Sequence, residues 1–168
     1  MNQLKAQDRL QPALLDRLTD NDPTNTQEAM EMRIISRPRM REAVLRDLSW
    51  LFNTTFMDAE ADYADYPEVR RSVINYGLPA LSGHTASSID PAALEANVKT
   101  AILNYEPRIV AETLHVEAVV LGKQMDHHNQ ISFRISGQLW AQPVPLEMLL
   151  HTDIDLETGR VGIKDLTR

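Results

Sequence analysis

The chain has 168 residues, a formal net charge of −7 and no cysteine. The length suits one domain, the acidic balance argues against nucleic-acid binding as the main function, and the lack of thiols excludes disulfides and thiolate metal sites. No run of the sequence approaches the roughly 18 apolar residues that span a bilayer, and the N-terminus lacks the apolar core of a signal peptide. We therefore expect no direct membrane insertion, and the absence of cysteine fits a reducing cytoplasm.

Residues 1–38 are predicted to be an N-terminal arm, and residues 39–168 the folded domain. Four leucines of the arm recur at helical spacing and predict a short amphipathic helix over 11–19: Leu10, Leu14, Leu15 and Leu18. Turn-forming residues at 21–26 then end it. A helix of this length is marginal in water, so we expect it to order only against its own domain or a partner.

The next helix is predicted to open at Pro38 and to run from about Arg39 to Asn53. Its apolar face is formed by residues at helical spacing: Met40, Val44, Leu45, Leu48, Leu51 and Phe52. Trp50 lies away from the centre of this face, where it either packs at the edge of the core or anchors a partner. Arginines between positions 33 and 46 form a basic patch, which is either a solvated helix face or a docking site for an acidic partner.

The segment from Tyr66 to Gly83 follows an acidic link at 58–65. Pro67 suits the first position of a helix, and Val69, Val73 and Tyr76 recur at helical spacing. Gly77 is predicted to end this helix in the left-handed conformation. Several residues of this segment fix its backbone geometry, but none is a catalytic group. The segment is therefore interpreted as a shape that other surfaces recognise.

A third helix is predicted to start after Asp90, a good N-cap, with Pro91 at its first position. Ile89 and Leu94 have the spacing of a hydrophobic staple. Since proline at position 107 disfavours helical backbone at the residue before it, the helix should end near Tyr105.

Beyond this helix the apolar period changes from 3.6 to 2, which predicts strands over 114–120, 131–135, 146–156 and 161–163. Gly137 is read as a possible bulge in the second of them. Helices followed by strands predict an α+β fold, in which N-terminal helices pack on a C-terminal antiparallel sheet.

Residues with catalytic or metal-binding chemistry do not form a recognisable site. Glu112 and His115 have the spacing of half a di-iron motif but stand at the start of a strand, and neighbouring His127 and His128 would point apart in extended chain. The sequence contains no glycine-rich phosphate loop. The spacing of its acidic residues does not single out the pair of carboxyl groups that a glycosidase needs. The sequence therefore predicts no enzyme, no cofactor and no catalytic or metal site.

Glu106-Pro107-Arg108 is the charged motif that the sequence singles out, and we call it the junction loop because it joins the last predicted helix to the first strand. In an extended conformation Glu106 and Arg108 project to similar sides. Their opposite charges either hold the junction by a local ion pair or dock a polar groove of a partner, and both roles are compatible.

Several segments together resemble the type VI secretion baseplate subunit family, TssE, and the phage baseplate wedge proteins labelled "lysozyme-like". The matching segments are 44–54, 66–83, 101–108, 133–137 and 150–159, and residues 13–18 resemble the family's N-terminal leucine-arginine element. The resemblance covers about 40 to 165.

The resemblance implies a non-enzymatic cytoplasmic subunit that joins a baseplate wedge with the paired proteins TssF and TssG. It also implies contacts with sheath proteins and with other baseplate subunits, and a role in initiating sheath assembly. The family's Glu-Pro-Arg motif meets the helical bundle of the wedge and falls here on Glu106, Pro107 and Arg108. The family fold further resembles a sheath domain that exchanges strands, for which the 146–156 strand is the candidate edge.

Two alternative functions remain open from the sequence. One is a regulatory binding module of the same fold, similar to stress anti-adaptors, which occupies another protein's surface. The other is a peptidoglycan hydrolase, as the "lysozyme" label suggests, although the sequence has no matching catalytic pair.

Overall fold

A computed structural model describes residues 13–19, 24, 36–57, 66–85, 88–119, 129–141 and 144–167. The α-helices are α1 (Leu14–Leu18), α2 (Arg37–Phe52), α3 (Pro67–Arg70) and α4 (Pro91–Tyr105), and the strands are β1 (His115–Val119), β2 (Gln130–Leu139), β3 (Leu146–Asp155) and β4 (Val161–Asp165). Short 3₁₀ turns lie at Val73–Asn75 and Ala111–Thr113. The predicted α+β order of helices and then strands is confirmed.

The four strands form one antiparallel sheet in the order β1-β2-β3-β4. β2 and β3 pair residue for residue from Gln130 opposite Asp155 to Leu139 opposite Leu146. The bulge expected at Gly137 is therefore wrong, since Gly137 pairs in register with Met148. Strand exchange through the 146–156 strand would require an open edge, and this condition is not met, because β3 is bonded to β2 on one side and to β4 on the other.

The hydrophobic core lies between one face of the sheet and the helices α2 and α4. Alternate residues of β2 and β3 point into it, as the period of 2 predicts. The fully buried side chains at its centre come from both layers: Val44, Leu48, Ile102, Phe133, Ile135, Leu150 and Ile154. The apolar face predicted for α2 is thus the face that it buries.

α4 begins at Pro91 and ends at Tyr105, as predicted. The side chain of Asp90 accepts a hydrogen bond from the backbone N–H of Ala92 at 3.0 Å, which satisfies one of the free donors at the helix start. Leu94 is buried, and Ile89 packs against the core at its side.

Replacing Asp90 with Ala is expected to lower the free energy of unfolding by about 1 kcal/mol, because the cap is lost while little else changes. Urea denaturation measures the difference. Asp90→Asn keeps an accepting oxygen and is the matched control, so its free energy of unfolding should stay close to that of the wild type. Equal destabilisation by both substitutions would contradict a capping role.

α2 begins two residues earlier than predicted. Its N-cap is Ser36, whose hydroxyl accepts from the N–H of Arg39 at 3.4 Å, and Pro38 lies in the first turn. Serine is among the preferred N-caps, so Ser36 could have predicted the start of α2. The prediction used the proline at position 38 instead.

The helix expected from Pro67 to Tyr76 breaks after one turn. The hydroxyl of Ser72 and the side-chain amide of Asn75 both donate to the carbonyl of Val69, at 2.8 and 3.1 Å. These side-chain bonds compete with helical backbone bonds, and Ser72 itself is extended. As a result Val73, expected on the buried face, is 81% exposed.

Gly77 has a positive φ of 130°, but it does not end a helix. It lets the chain approach the end of α2, where Leu78 N–H donates to Thr54 O at 2.8 Å and Phe56 N–H donates to Leu78 O at 3.0 Å. A Cβ atom on Gly77 would lie 2.2 Å from Thr54 O. The glycine is therefore required by this close backbone contact, and the predicted capping role is wrong.

The last strand packs against the first long helix. The side-chain amide of Asn53 accepts from Val161 N–H at 3.0 Å and donates to Val161 O at 2.9 Å, in the manner of a strand partner. Arg41 lies 3.7 Å from Asp165 and also donates to Glu147 O at 2.8 Å. α2 and β4 are thus joined although they are far apart in sequence.

The short helix predicted over 11–19 is present as α1, with its leucines Leu14, Leu15 and Leu18 exposed. Most of residues 1–38 lie outside the described residues, as do the acidic link at 58–65 and His127-His128. The division of the chain at residue 38 therefore stays a prediction. None of the described helices has the length and apolar character needed to cross a membrane.

Candidate docking site at the helix-to-strand junction

The junction loop is a tight turn between α4 and the sheet. Glu106 leaves the helical conformation, as the proline after it demands, while its N–H still donates to Ile102 O at 2.8 Å. Ile109 N–H then donates to Glu106 O at 3.2 Å, which closes a turn with Pro107 at its second position. Trp140 N–H donates to Arg108 O at 2.7 Å and attaches the loop to the chain that follows β2.

The carboxylate of Glu106 is turned inward and is 3% exposed. Its Oε1 accepts from the N–H of Arg108 at 3.1 Å and from Nε of the same residue at 2.7 Å, and its Oε2 accepts from Nη2 at 2.5 Å. A planar guanidinium suits this two-point geometry. The local ion pair that the sequence suggested is therefore present, and it leaves Pro107 exposed at the tip of the loop.

A second carboxylate completes the pairing of Arg108. Asp47 of α2 accepts from Arg108 Nη2 through Oδ2 at 2.5 Å. Burial alone would lower the pKa of the Arg108 guanidinium, but the hydrogen bonds and negative charges of Glu106 and Asp47 outweigh it and raise this pKa above its usual range. The charge of Arg108 is fixed, and the loop is tied to α2.

The pairing continues from Asp47 to the N-terminal helix. Asp47 Oδ1 accepts from Arg46 Nε at 3.0 Å, and Arg46 Nη1 donates to Asp16 Oδ1 of α1 at 2.6 Å. The hydrogen bond that Arg46 donates to Asp16 is the largest contribution that raises the pKa of Arg46, against the opposing effect of burial. We call Glu106, Arg108, Asp47, Arg46 and Asp16 the ion-pair chain, since their charges alternate from one residue to the next.

Aromatic side chains border the ion-pair chain. The guanidinium of Arg46 lies 5.2 Å from the ring centroid of Trp50, a distance typical of a cation–π contact, and Trp50 is 51% exposed. On the other side Tyr76 packs edge-on against Tyr105 with ring centroids 5.2 Å apart. Burial raises the pKa of the Tyr76 hydroxyl, and the negative charges of Asp47 and Glu106 raise it further.

The structure thus brings the three predicted residues Glu106, Pro107 and Arg108 together and adds Asp47, Arg46 and Asp16, which sequence reasoning did not assign to the site. Arg46 had appeared only as part of a basic patch. Arg46 keeps 33% of its side chain accessible, but it is paired with a carboxylate on each side and is therefore not free for an acidic partner.

The described residues do not show an arrangement for catalysis. A general acid must donate a proton, whereas both oxygens of Glu106 accept hydrogen bonds from a guanidinium. Ser132 of β2 donates to Asp153 at 2.7 Å, and His151 contacts the same carboxylate at 3.0 Å, so serine and histidine share an acid and do not form a nucleophile and base. No group of His, Asp or Glu in the described part of the chain is suited to hold a metal ion.

The junction loop is held by paired charges between the helices and the sheet of an α+β domain. A family model described as "baseplate wedge protein gp25" matches residues 38–144, more than half of the chain and including the junction loop. The chain belongs to this family of baseplate wedge proteins. TssE is the type VI homologue of gp25, so the resemblance inferred from the sequence is confirmed. No curated protein and no solved structure matches the chain.

Proposed function

We propose that this protein is the gp25-like subunit of a type VI secretion baseplate, where it joins the wedge formed with TssF and TssG and supports the start of sheath assembly. Membership of the baseplate wedge family gives the structural role in a contractile injection system. The resemblance of the chain to TssE supports the narrower assignment to a type VI system. The proposal places the protein in the cytoplasm and gives it no catalytic activity.

We propose that the junction loop is the part that meets the wedge, with Glu106, Pro107 and Arg108 in different roles. Pro107 is exposed, and the side chain of Arg108 keeps 24% of its surface accessible. Glu106 is buried, so it positions Arg108 and does not itself face the partner. The observation that supports this most directly is the family match across a loop whose charged groups are already fixed, because a pre-organised loop loses little entropy on binding.

Pro107→Arg is the substitution that tests docking, because it adds bulk and charge at an exposed position without touching a described hydrogen bond. Co-expression with TssF and TssG and co-purification through a tag on TssF is the measurement. We expect the variant to fold with a thermal midpoint close to the wild type and to lose most of its recovery with the wedge.

Pro145→Arg makes the same change at another exposed proline, just before β3, and is the matched control, which should co-purify as the wild type does. Recovery of Pro107→Arg at the wild-type level would exclude the junction loop as the docking element. If the wild type itself does not co-purify with TssF and TssG, the assignment to a type VI wedge is wrong. Loss of recovery in both variants would show that general disturbance, and not the loop, is responsible.

A further inference from the structure

A groove that Tyr105 helps to line runs beside α4. It has a volume of about 410 Å³, within the usual range of ligand sites. Its walls come from three segments: the chain after α2, the segment 67–77 and the outer face of α4. We call it the α4 groove. The groove includes part of the 66–83 segment. The ordered turns of this segment have no role in the junction loop.

The walls of the α4 groove are held in place by contacts that do not involve a ligand. The bonds between Thr54 and Leu78 fix one end of the 67–77 segment, and Gly77 permits that approach. In the middle, the hydroxyl of Tyr105 donates to Ser72 O at 2.8 Å. The groove is therefore formed in the free protein, so an occupant does not have to order it.

Side-chain amides line the groove in positions suited to a polypeptide backbone. Asn97, Thr100 and Asn104 of α4 follow a spacing of three and four residues and share one face of the helix. Opposite them, Oδ1 of Asn75 is buried and accepts no hydrogen bond from the described residues. Amides offer both donors and acceptors, which suits the main chain of a bound polypeptide.

The groove also has one cationic and several apolar contacts to offer. Arg71 lines it, is exposed, and lies beyond 4.0 Å of every carboxylate in the described part of the chain. Met57 lines the groove and is 59% exposed. Two residues next in sequence to lining residues are also exposed, Ile74 beside Asn75 at 55% and Tyr66 beside Pro67 at 62%. An exposed guanidinium beside exposed apolar side chains is complementary to a carboxylate next to an apolar side chain.

We propose that the α4 groove is a second docking site, which receives an extended segment of a partner protein that carries a carboxylate beside an apolar residue. The main chain of the segment bonds the amides of α4, its carboxylate pairs with Arg71, and its apolar side chain covers Met57. This site is separate from the junction loop, so its test does not depend on whether the proposed wedge function is correct.

Titration of the isotope-labelled full chain with blocked tetrapeptides, followed by NMR, tests the proposal. One peptide alternates leucine with aspartate, and a second replaces aspartate with asparagine. The acidic peptide is expected to shift the side-chain resonances of Asn97, Asn104 and Arg71 in a saturable manner. The Arg71→Ala variant should bind it about tenfold more weakly, and the neutral peptide should show a similar loss on the wild type, since each change removes the same charge-assisted contact.

Arg39→Ala removes another exposed arginine, in the first turn of α2, and should leave binding unchanged. Asn104→Ala should weaken both peptides equally, because it removes a main-chain contact and not the charge. Shifts outside the groove, no shifts at all, or equal binding of the acidic peptide by the wild type and Arg71→Ala would overturn the proposal. So would groove shifts that depend on protein concentration without peptide, which would make a second copy of the chain the occupant.

Discussion

Replacing Glu106 with Ala is expected to lower the free energy of unfolding by about 3 kcal/mol, because it leaves the largely enclosed guanidinium of Arg108 with one carboxylate in place of two. The side chain of Glu106 is 3% exposed, and three hydrogen bonds from Arg108 end on it. Urea denaturation of the purified chain measures the change. A loss below about 0.5 kcal/mol, the usual range for surface substitutions, would show that the pair contributes little to the fold.

Two further variants separate the buried pair from surface charge effects. Glu117 lies 3.9 Å from Arg134 on the open sheet face, with both side chains more than half exposed, so Glu117→Ala should change the free energy of unfolding by less than about 1 kcal/mol. The double variant Glu106→Leu with Arg108→Met leaves no unpaired guanidinium and should be more stable than Glu106→Ala. A double variant less stable than the single one would point to packing of the side chains and not to their charge.

Gly77→Ala is expected to destabilise the domain by about 3–5 kcal/mol, from the combined effects of an unfavourable backbone conformation and a steric clash. The added Cβ would lie 2.2 Å from Thr54 O, so the contact between α2 and the 67–77 segment must open. Thermal and urea unfolding measure the loss, and hydrogen exchange at Leu78 N–H should show whether its bond to Thr54 is broken.

Gly83→Ala is the matched control for Gly77. Gly83 also has a positive φ, of 86°, but no atom lies within 4 Å of the Cβ position. Gly83→Ala should therefore lower the free energy of unfolding by about 1–2 kcal/mol, the cost of the backbone conformation without a steric clash. If the two variants are equally destabilised, the close approach to Thr54 does not contribute, and the requirement for glycine at position 77 rests on its backbone angle alone.

Elements with a long, regular apolar period were predictable from the sequence. α4 has an N-cap aspartate, a proline at its first position and a proline two residues after its end, and the observed bounds follow these signals. The residues of β3 that point into the core were also predictable, since a period of 2 over ten residues leaves few alternatives. In both cases local signals and tertiary packing agree.

The segment after Pro67 was mispredicted because local signals disagreed with one another. Val69, Val73 and Tyr76 have helical spacing, but Ser72 and Asn75 bind the carbonyl of Val69 with their side chains and end the helix early. Gly77 was mispredicted because glycine is favoured both at the end of a helix and at a close backbone contact. The sequence alone does not distinguish these two uses of glycine.

The junction loop was found from the sequence, but its partner on α2 was not. Asp47 and Arg108 are 61 positions apart, and a single charged residue on a predicted helix has no periodicity that would reveal a distant partner. The burial of Glu106 was likewise unreadable, because a glutamate after a helix is exposed in most proteins. These features depend on how α2 packs beside α4, which is a property of the tertiary fold.

The pairing of Asn53 with Val161 has a consequence for biosynthesis. The segment around α2 leaves the ribosome long before β4 does, with 108 positions between the two bonded residues. Until that last strand is translated, one side of the early helix has no permanent neighbour, and its apolar residues are available to chaperones or to nascent copies nearby. The contact between α2 and β4 therefore forms only after β4 has been translated, and a chain truncated before β4 is expected to expose the apolar residues that this contact covers.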